Sequence, residues 1–385
     1  MFLSRLTRSG RLLMVSAAAG MAVTASLPLL AQALITPEQG GPWYKRIQVD
    51  AFVSASYSYS FNHPSSDLND FRVFDFDDHE AKLDLAALTI QKAADNPGDW
   101  GFRLDMGAGQ SLPEMTAARG LFRNTDTGEA HHFDVPQAYV SWIAGAGRGL
   151  RFDLGKFYAP IGYESVERYD AYNDNATHSF LFGFTGPFTT TGLKISYPLT
   201  DKLTAMVFAV QGWDVVSDNN KGKSAGAQFA YAPDDATSFY LTYLGGPEQN
   251  DNASNWRNAY DFCATRKLMP TLSLGLNLDY GHERNALGIG QNGRWYGAAA
   301  YLVYSLTERF QIALRAEQFN DPDGARTGVG QRLREVTVTP TYRFSNHLLV
   351  RADLRTDWSN VSSFKKDDRF TERQPTAMLN VVFAY

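Results

Sequence analysis

Residues 351–358 read RADLRTDW. Arg351, Asp353, Arg355 and Asp357 take alternate positions, with Ala352, Leu354 and Thr356 between them. A period of two means a strand, because successive strand side chains point to opposite faces. One face is therefore densely charged and the other apolar or small. A soluble sheet would turn the charged face to water and the apolar face to a core. A membrane barrel would turn the apolar face to lipid and the charged face to a wet lumen. The octapeptide fits both, so the choice rests on the rest of the chain.

The N-terminal stretch has its own charge pattern. Arg5, Arg8 and Arg11 precede an apolar run from Leu12 to Leu30, followed by the small-x-small site Ala31-Gln32-Ala33. This predicts a secretory signal peptide over 1–33, cleaved before Leu34. Cleavage would remove three arginines and no acid, moving the net charge from −5 to −8. An acidic exported chain is a poor nucleic-acid binder, since such binding needs clustered Lys and Arg. A single cysteine, Cys263, excludes an internal disulfide framework and a Cys-based zinc site. No later run approaches the eighteen continuous apolar residues of a helical membrane span.

At the other end, LNVVFAY puts Ala377, Leu379, Val381, Phe383 and Tyr385 on one parity and stops on an aromatic. Between the ends, period two predicts about sixteen strands, near 45–60, 79–91, 100–108, 133–143, 149–157, 188–197, 202–213 and 223–231. The others fall near 237–244, 256–267, 271–281, 294–305, 309–319, 332–344, 347–358 and 374–385. Every second connection is short and rich in turn formers, such as DNPGD (95–99), AGAGRG (144–149) and APDD (232–235). The others are long, and 158–187 is the longest. Strict alternation of short and long connections is the pattern of an outer-membrane barrel, and nothing imposes it on a soluble sandwich. The expected fold is therefore all-β: a closed antiparallel transmembrane barrel over 45–385, preceded by a short periplasmic segment, 34–44.

The parity of single strands agrees. Leu272, Leu274, Leu276, Leu278 and Tyr280 oppose Ser273, Gly275, Asn277 and Asp279. Tyr57 and Tyr59 fall where an aromatic girdle belongs. The charged octapeptide then faces the lumen, because an Arg or Lys on the lipid face costs about 2–4 kcal/mol at the midplane. The same grammar recurs as Lys82/Asp84, Arg103/Asp105, Arg151/Asp153 and Arg315/Glu317. A sixteen-stranded barrel is too wide for side chains to fill, so these twelve residues are expected to line water. In 158–187 an acidic half (Glu164, Glu167, Asp170, Asp174) precedes the apolar run FLFGFTGPF (180–188). A loop that long is usually functional. Here the apolar half is expected to pack on the inner wall and the acidic half to face the solute path.

GLRFDLGKFYAPIGYES (149–165) and QGWDVVSDNNKGKS (211–224) resemble the OmpL-like β-barrel porin-2 family. The similarity continues through YSYSFNHPSSDLNDFRVFD (57–75), 173–204 and YLTYLGGPE (240–248), and weakens after about residue 260. Gln211 stands where the family resemblance would place Asn before Gly-Trp. GKFYAPIGYE is also similar to a strand and loop of phosphate-selective porins, which gives an alternative reading as an anion-type porin. The resemblance implies passive passage of small hydrophilic solutes and ions in contact with outer-membrane lipid and lipopolysaccharide. By analogy with sixteen-stranded porins it implies a homotrimer. It supplies no catalytic residue and no cofactor. A barrel with a plugged lumen, serving as adhesin or scaffold, is a third reading. The chain has no GxSxG, HExxH or phosphate-binding glycine loop. His131-His132 reads as solvated loop, and DFDDHE (75–80) and DPDG (321–324) lack full EF-hand spacing. No metal site is expected.

Overall fold

The computed structural model describes residues 33–36, 41–115, 121–124 and 127–385. The expected signal segment, apart from Ala33, lies outside the described residues. Sixteen strands close into one antiparallel barrel. They begin with β1 (Gln48–Ser60), β2 (Ala81–Lys92), β3 (Trp100–Ala108), β4 (Phe133–Ala144), β5 (Leu150–Tyr158), β6 (Thr189–Pro198), β7 (Leu203–Val210) and β8 (Ser224–Asp234). Next come β9 (Thr237–Pro247), β10 (Trp256–Met269), β11 (Leu272–Glu283), β12 (Gly293–Ser305), β13 (Phe310–Asp321), β14 (Gln331–Arg343) and β15 (Leu348–Ser359). A small hairpin, β16 (Phe364–Lys366) and β17 (Arg369–Thr371), interrupts the last long loop before β18 (Arg373–Ala384) completes the wall. Successive barrel strands pair around the ring, and β18 returns to β1 with Phe52 opposite Ala384 and Val53 opposite Phe383. Beyond that strand, Ala51 N–H donates to the Tyr385 carbonyl at 2.8 Å, and Tyr385 N–H donates back at 2.9 Å. No described helix is long and apolar enough to cross a membrane; the strands do the crossing.

The eight long connections lie at one end: L1 (61–80), L2 (109–132), L3 (159–188), L4 (211–223), L5 (248–255), L6 (284–292), L7 (322–330) and L8 (360–372). The N-terminal segment meets the wall near the other end, where Ile35 bridges Val49. Two aromatic belts bound the outer surface. Tyr243, Tyr260 and Tyr280 adjoin one another at 5.1 and 6.2 Å on the long-loop side. Trp43–Trp100 at 5.7 Å and Trp142–Phe152 at 5.5 Å mark the short-turn side. Leu154, Leu241 and Leu354, each more than half exposed, fill the apolar band between them.

Two local features place lumen residues. The register of β1 and β2 slips between Ser54 and Ala55, so β2 carries a bulge at Asp84–Leu85. A bulge puts two successive residues on nearly the same side, and both Asp84 and Leu85 are buried inside the barrel. In β5, Gly155 adopts φ +142, and a Cβ there would meet the Ala138 carbonyl at 2.1 Å and Tyr139 Cα at 2.7 Å. Only glycine suits that approach, which lets Tyr139 pack across β5 in the lumen core.

Candidate functional site: a lumen crossed by the third loop

The twelve charged residues expected on the inner wall are buried or half-buried, and their surroundings differ from the expectation of water. On β2, β3 and β5, Lys82, Asp84, Arg103, Asp105 and Asp153 are buried, and Arg151 is half-buried. On β13 and β15, Arg315, Glu317, Arg351, Asp353, Arg355 and Asp357 are all buried. Asp105 illustrates the correction on the β3 side. Its carboxylate, 4% exposed, accepts from Arg103 Nε at 2.9 Å and from Gln137 Nε2 at 2.7 Å, so protein donors take the place expected for solvent. Arg315, Arg351, Arg355 and Asp357 are at most 2% exposed. The expectation of hydrated side chains is corrected for these rows: neighbours on the wall pair with them, and loops folded into the barrel cover them. Strand side chains alone would leave a sixteen-stranded lumen open; the loops supply the filling.

L3 carries most of that filling. Its apolar run forms a short helix, α1 (Phe180–Phe184), capped by Ser179, whose hydroxyl accepts from Phe182 N–H at 3.1 Å. Phe180 and Leu181 are buried against Trp295, Tyr301 and Phe319 of the wall. The two N–H groups at its start, on Phe180 and Leu181, donate to the Glu317 carboxylate. Thr185 Oγ1 donates to Asp279 at 2.7 Å. Unpaired helix N–H groups and wall carboxylates thus satisfy each other.

The acidic half is fastened by arginines. Arg315 Nη1 donates to Glu164 Oε1 at 3.0 Å while its Nε donates to Glu335 at 2.6 Å. Arg351 Nη2 donates to both oxygens of Glu167 at 2.7 Å, and its Nη1 reaches the Asn173 carbonyl. Asp353 accepts from Thr177 N–H at 2.7 Å and from Thr339 Oγ1 at 2.6 Å. Asp174 accepts from Gln311 at 3.0 Å. On the far side, Asp170 meets Arg103 and Arg168, each at 2.7 Å. Arg103 stands on β3 and Arg315 on β13, six strands apart around the ring, so L3 spans the lumen. Glu164 and Asp174 are buried and Glu167 half-buried, while the Asp170 side chain keeps 30% exposure. Of the four acids expected to face solute, only Asp170 stands exposed; the others are consumed in docking.

The buried L3 carboxylates diverge in acidity. Burial alone pushes each up, but the Arg315 guanidinium holds Glu164 below its ordinary range. Burial wins at Asp174, whose one close donor is the neutral amide of Gln311, and its carboxyl is pushed up to about 6. Asp214 in L4, held by the N–H groups of Phe188 and Thr189, is likewise pushed up to about 6 by burial.

L1 completes the plug with residues that the sequence reading missed. Arg72 donates to Asp357 at 2.6 Å and also pairs with Asp75. Lys82 holds Asp77 at 2.9 Å and the Phe74 carbonyl. Phe74 packs on His178 of L3 at 4.9 Å, and Phe71 on Phe364 of L8 at 5.7 Å. The loop has no periodicity to betray an inward face, so no sequence signal separated Arg72 from a solvated arginine. Three more wall cations face carboxylates: Arg151 with Asp153 at 2.9 Å, Lys156 with Asp134 at 2.9 Å, and Lys194 with Asp153 at 3.7 Å. Between L1, L3 and the wall of β1, β2 and β18 lies a cavity lined among others by Phe52, Asp75, Asp84, Glu167, Met378 and Asn380. Ser54 and Ser56 hydroxyls and the Asn380 amide hold Asp84 there, at 2.7–3.2 Å.

A closed antiparallel barrel with apolar exterior, aromatic belts and an inward long loop defines an outer-membrane porin. Residues 46–385 match the family described as "putative beta-barrel porin-2, OmpL-like", and the chain belongs to that family. It is a channel of the bacterial outer membrane for passive diffusion of small solutes. No curated protein matches the chain in sequence. Solved structures similar in fold include the outer membrane channel DcaP of Acinetobacter baumannii, at TM-score 0.58 and 10% identity over 91% of this chain and 99% of that one. Salmonella typhi OmpF, in complex with daunomycin, gives 0.59 and 12% over 88% and 97%. Vibrio cholerae OmpT in a trimer form gives 0.51 and 8% over 88% and 99%.

Proposed function

We propose that solutes pass along the β1–β2–β18 side of the lumen, through a constriction set by L3, with no catalytic step. The observation that carries this reading is the gap that L3 leaves as it crosses the lumen to Arg103 on β3. L3 is bound through Glu164, Glu167, Thr177 and α1 to β13–β15, whereas the cavity beside it is walled by β1, β2 and β18. Of the carboxylates lining that cavity, Asp75 is paired with Arg72 and Glu167 with Arg351, while Asp84 is held by neutral donors. Such a lining favours small cations. The paired state of Arg103, Arg151, Lys156 and Lys194 weighs against the phosphate-type alternative. The test is planar-bilayer conductance of the purified protein in a salt gradient. A cation-selective reversal potential that weakens in Asp84→Asn supports the path; an anion-selective one reinstates the phosphate-type reading. The dryness of Arg315, Arg351 and Arg355 favours one further reading, a plugged structural barrel, for which the same bilayers would stay silent.

The partners follow from the outer surface. Arg334, Trp358 and Arg373 stand opposite one another on β14, β15 and β18, with the Arg373 guanidinium 5.8 Å from the Trp358 ring. Both arginines are exposed on the lipid side near the long-loop end, where two cations suit the phosphates of lipopolysaccharide. By analogy with the OmpT trimer form, three copies associate; native mass measurement in detergent tests this.

A further inference from the structure

The two ends of L1 meet at the outer rim, beside the last turn of β1. His63 follows the strand end, its N–H donating to the Ser60 carbonyl at 3.3 Å. Asp78 and His79 lie just ahead of β2, separated from it by Glu80. The nitrogens of His63 and His79 and a carboxylate oxygen of Asp78 all lie within 4.8 Å of one another. Asp78 is a fixed member of the set. It is buried, with Oδ1 accepting Ser60 N–H at 2.5 Å and facing His79 Nδ1 at 2.9 Å. The two imidazoles are exposed, their centroids 5.5 Å apart, both against the Tyr59 ring at 4.5 and 5.6 Å. Both histidines hold left-handed backbone, φ 49 and 55, a conformation few non-glycine residues adopt. DFDDHE by itself lacks EF-hand spacing; the fold brings it a donor, His63, from the opposite end of the loop.

We propose that His63, Asp78 and His79 form a site for a borderline transition-metal cation of the Zn2+ class. Two imidazoles and one carboxylate match that metal and leave a fourth position for water, whereas a single carboxylate underserves Ca2+. Ligands of tetrahedral zinc, bound at about 2.0–2.2 Å, stand roughly 3.4 Å apart. Small side-chain rotations of the exposed imidazoles close the set around the fixed Asp78. Bound metal joins residue 63 to residues 78–79, so it staples the neck of the loop whose interior carries Arg72, Phe74 and Asp75 into the lumen. Metal binding stands on the donor set alone; an effect on conductance rests on the channel reading above, with L1, packed on L3 through Phe74 and His178, adding to the constriction.

The experiment titrates ZnCl2 into untagged, EDTA-stripped full-length protein folded in detergent, followed by calorimetry, with Co2+ visible absorption as a second readout. One equivalent should bind, and His63→Ala or His79→Ala should each weaken it at least about tenfold, while the double variant His131→Ala/His132→Ala leaves it unchanged. His63→Gln and His79→Gln keep side-chain bulk should an alanine variant fail to fold. Absence of saturable one-equivalent binding overturns the site. So does binding that survives loss of both His63 and His79, or that vanishes with His131 and His132. Normal binding without any change in single-channel conductance retains the site and rejects only the role of L1 in the constriction.

Discussion

Arg351 shows how one side chain can be legible in direction and illegible in surroundings. Period two in 351–358 gives its inward face, and the bilayer penalty gives the reason. What the period cannot give is Glu167, which sits in a loop of no periodicity and closes over the guanidinium. Removing one partner of a buried pair costs about 3–5 kcal/mol, because the other charge is left without solvent or counterion. Arg351→Glu therefore is expected to lower the urea midpoint of the folded barrel markedly, as well as shifting selectivity; a midpoint at the parent value would mean that the pair is wet. Asp174 offers a test with a defined sign. Its folded pKa, about 6, lies above that of a free carboxyl, so the folded state holds the proton more tightly. Its contribution to stability thus falls as pH rises from about 4 to 6 and stays low above that. Asp174→Asn should flatten this part of the stability–pH profile, which urea unfolding at stepped pH would show; Asp214 leaves a residual slope of the same direction.

At the scale of elements, strands were readable and loop destinations were not. The expected strands near 271–281 and 294–305 recur as β11 and β12, because leucine and tyrosine on one parity must meet lipid. The hairpin of β16 and β17 and the helix α1 escaped notice, being too short to display a period. L3 was expected over 158–187 and runs over 159–188, with Phe180 and Leu181 of its apolar half buried beside Trp295, Tyr301 and Phe319. Three of its four acids do not face solute as expected: Arg315 and Arg351 pair with Glu164 and Glu167, Gln311 holds Asp174, and Asp170 alone stays exposed. Deleting Glu167 to Ser179 removes the links to Arg351, Asp353 and Arg355 and should raise single-channel conductance and admit larger solutes. Conductance at the parent value would place the constriction elsewhere. In β5, Gly155→Ala should destabilise the barrel, because the new methyl meets the Ala138 carbonyl and Tyr139; unchanged heat-modifiable mobility and urea midpoint would count against that crowding.

For the molecule as a whole, the alternation of short and long connections was enough to specify a closed ring, since a lipid-exposed edge would leave backbone groups without partners. The seam between β1 and β18 bears that requirement, and it includes Val53 opposite Phe383 and the Ala51–Tyr385 bonds beyond the last strand. Deleting Phe383 to Tyr385 should reduce the heat-modifiable, membrane-assembled fraction; normal assembly would show that closure tolerates a shortened last strand.

The seam also sets the order of events in assembly. Every other junction in the ring joins barrel strands that follow one another along the chain and can zip as local hairpins. The seam alone pairs the first barrel strand with the last, a contact of the greatest sequence separation, and such contacts form late and slowly. Until then the chain travels as an open sheet with two adhesive margins, so the time spent between export and closure is its period of greatest risk of clumping.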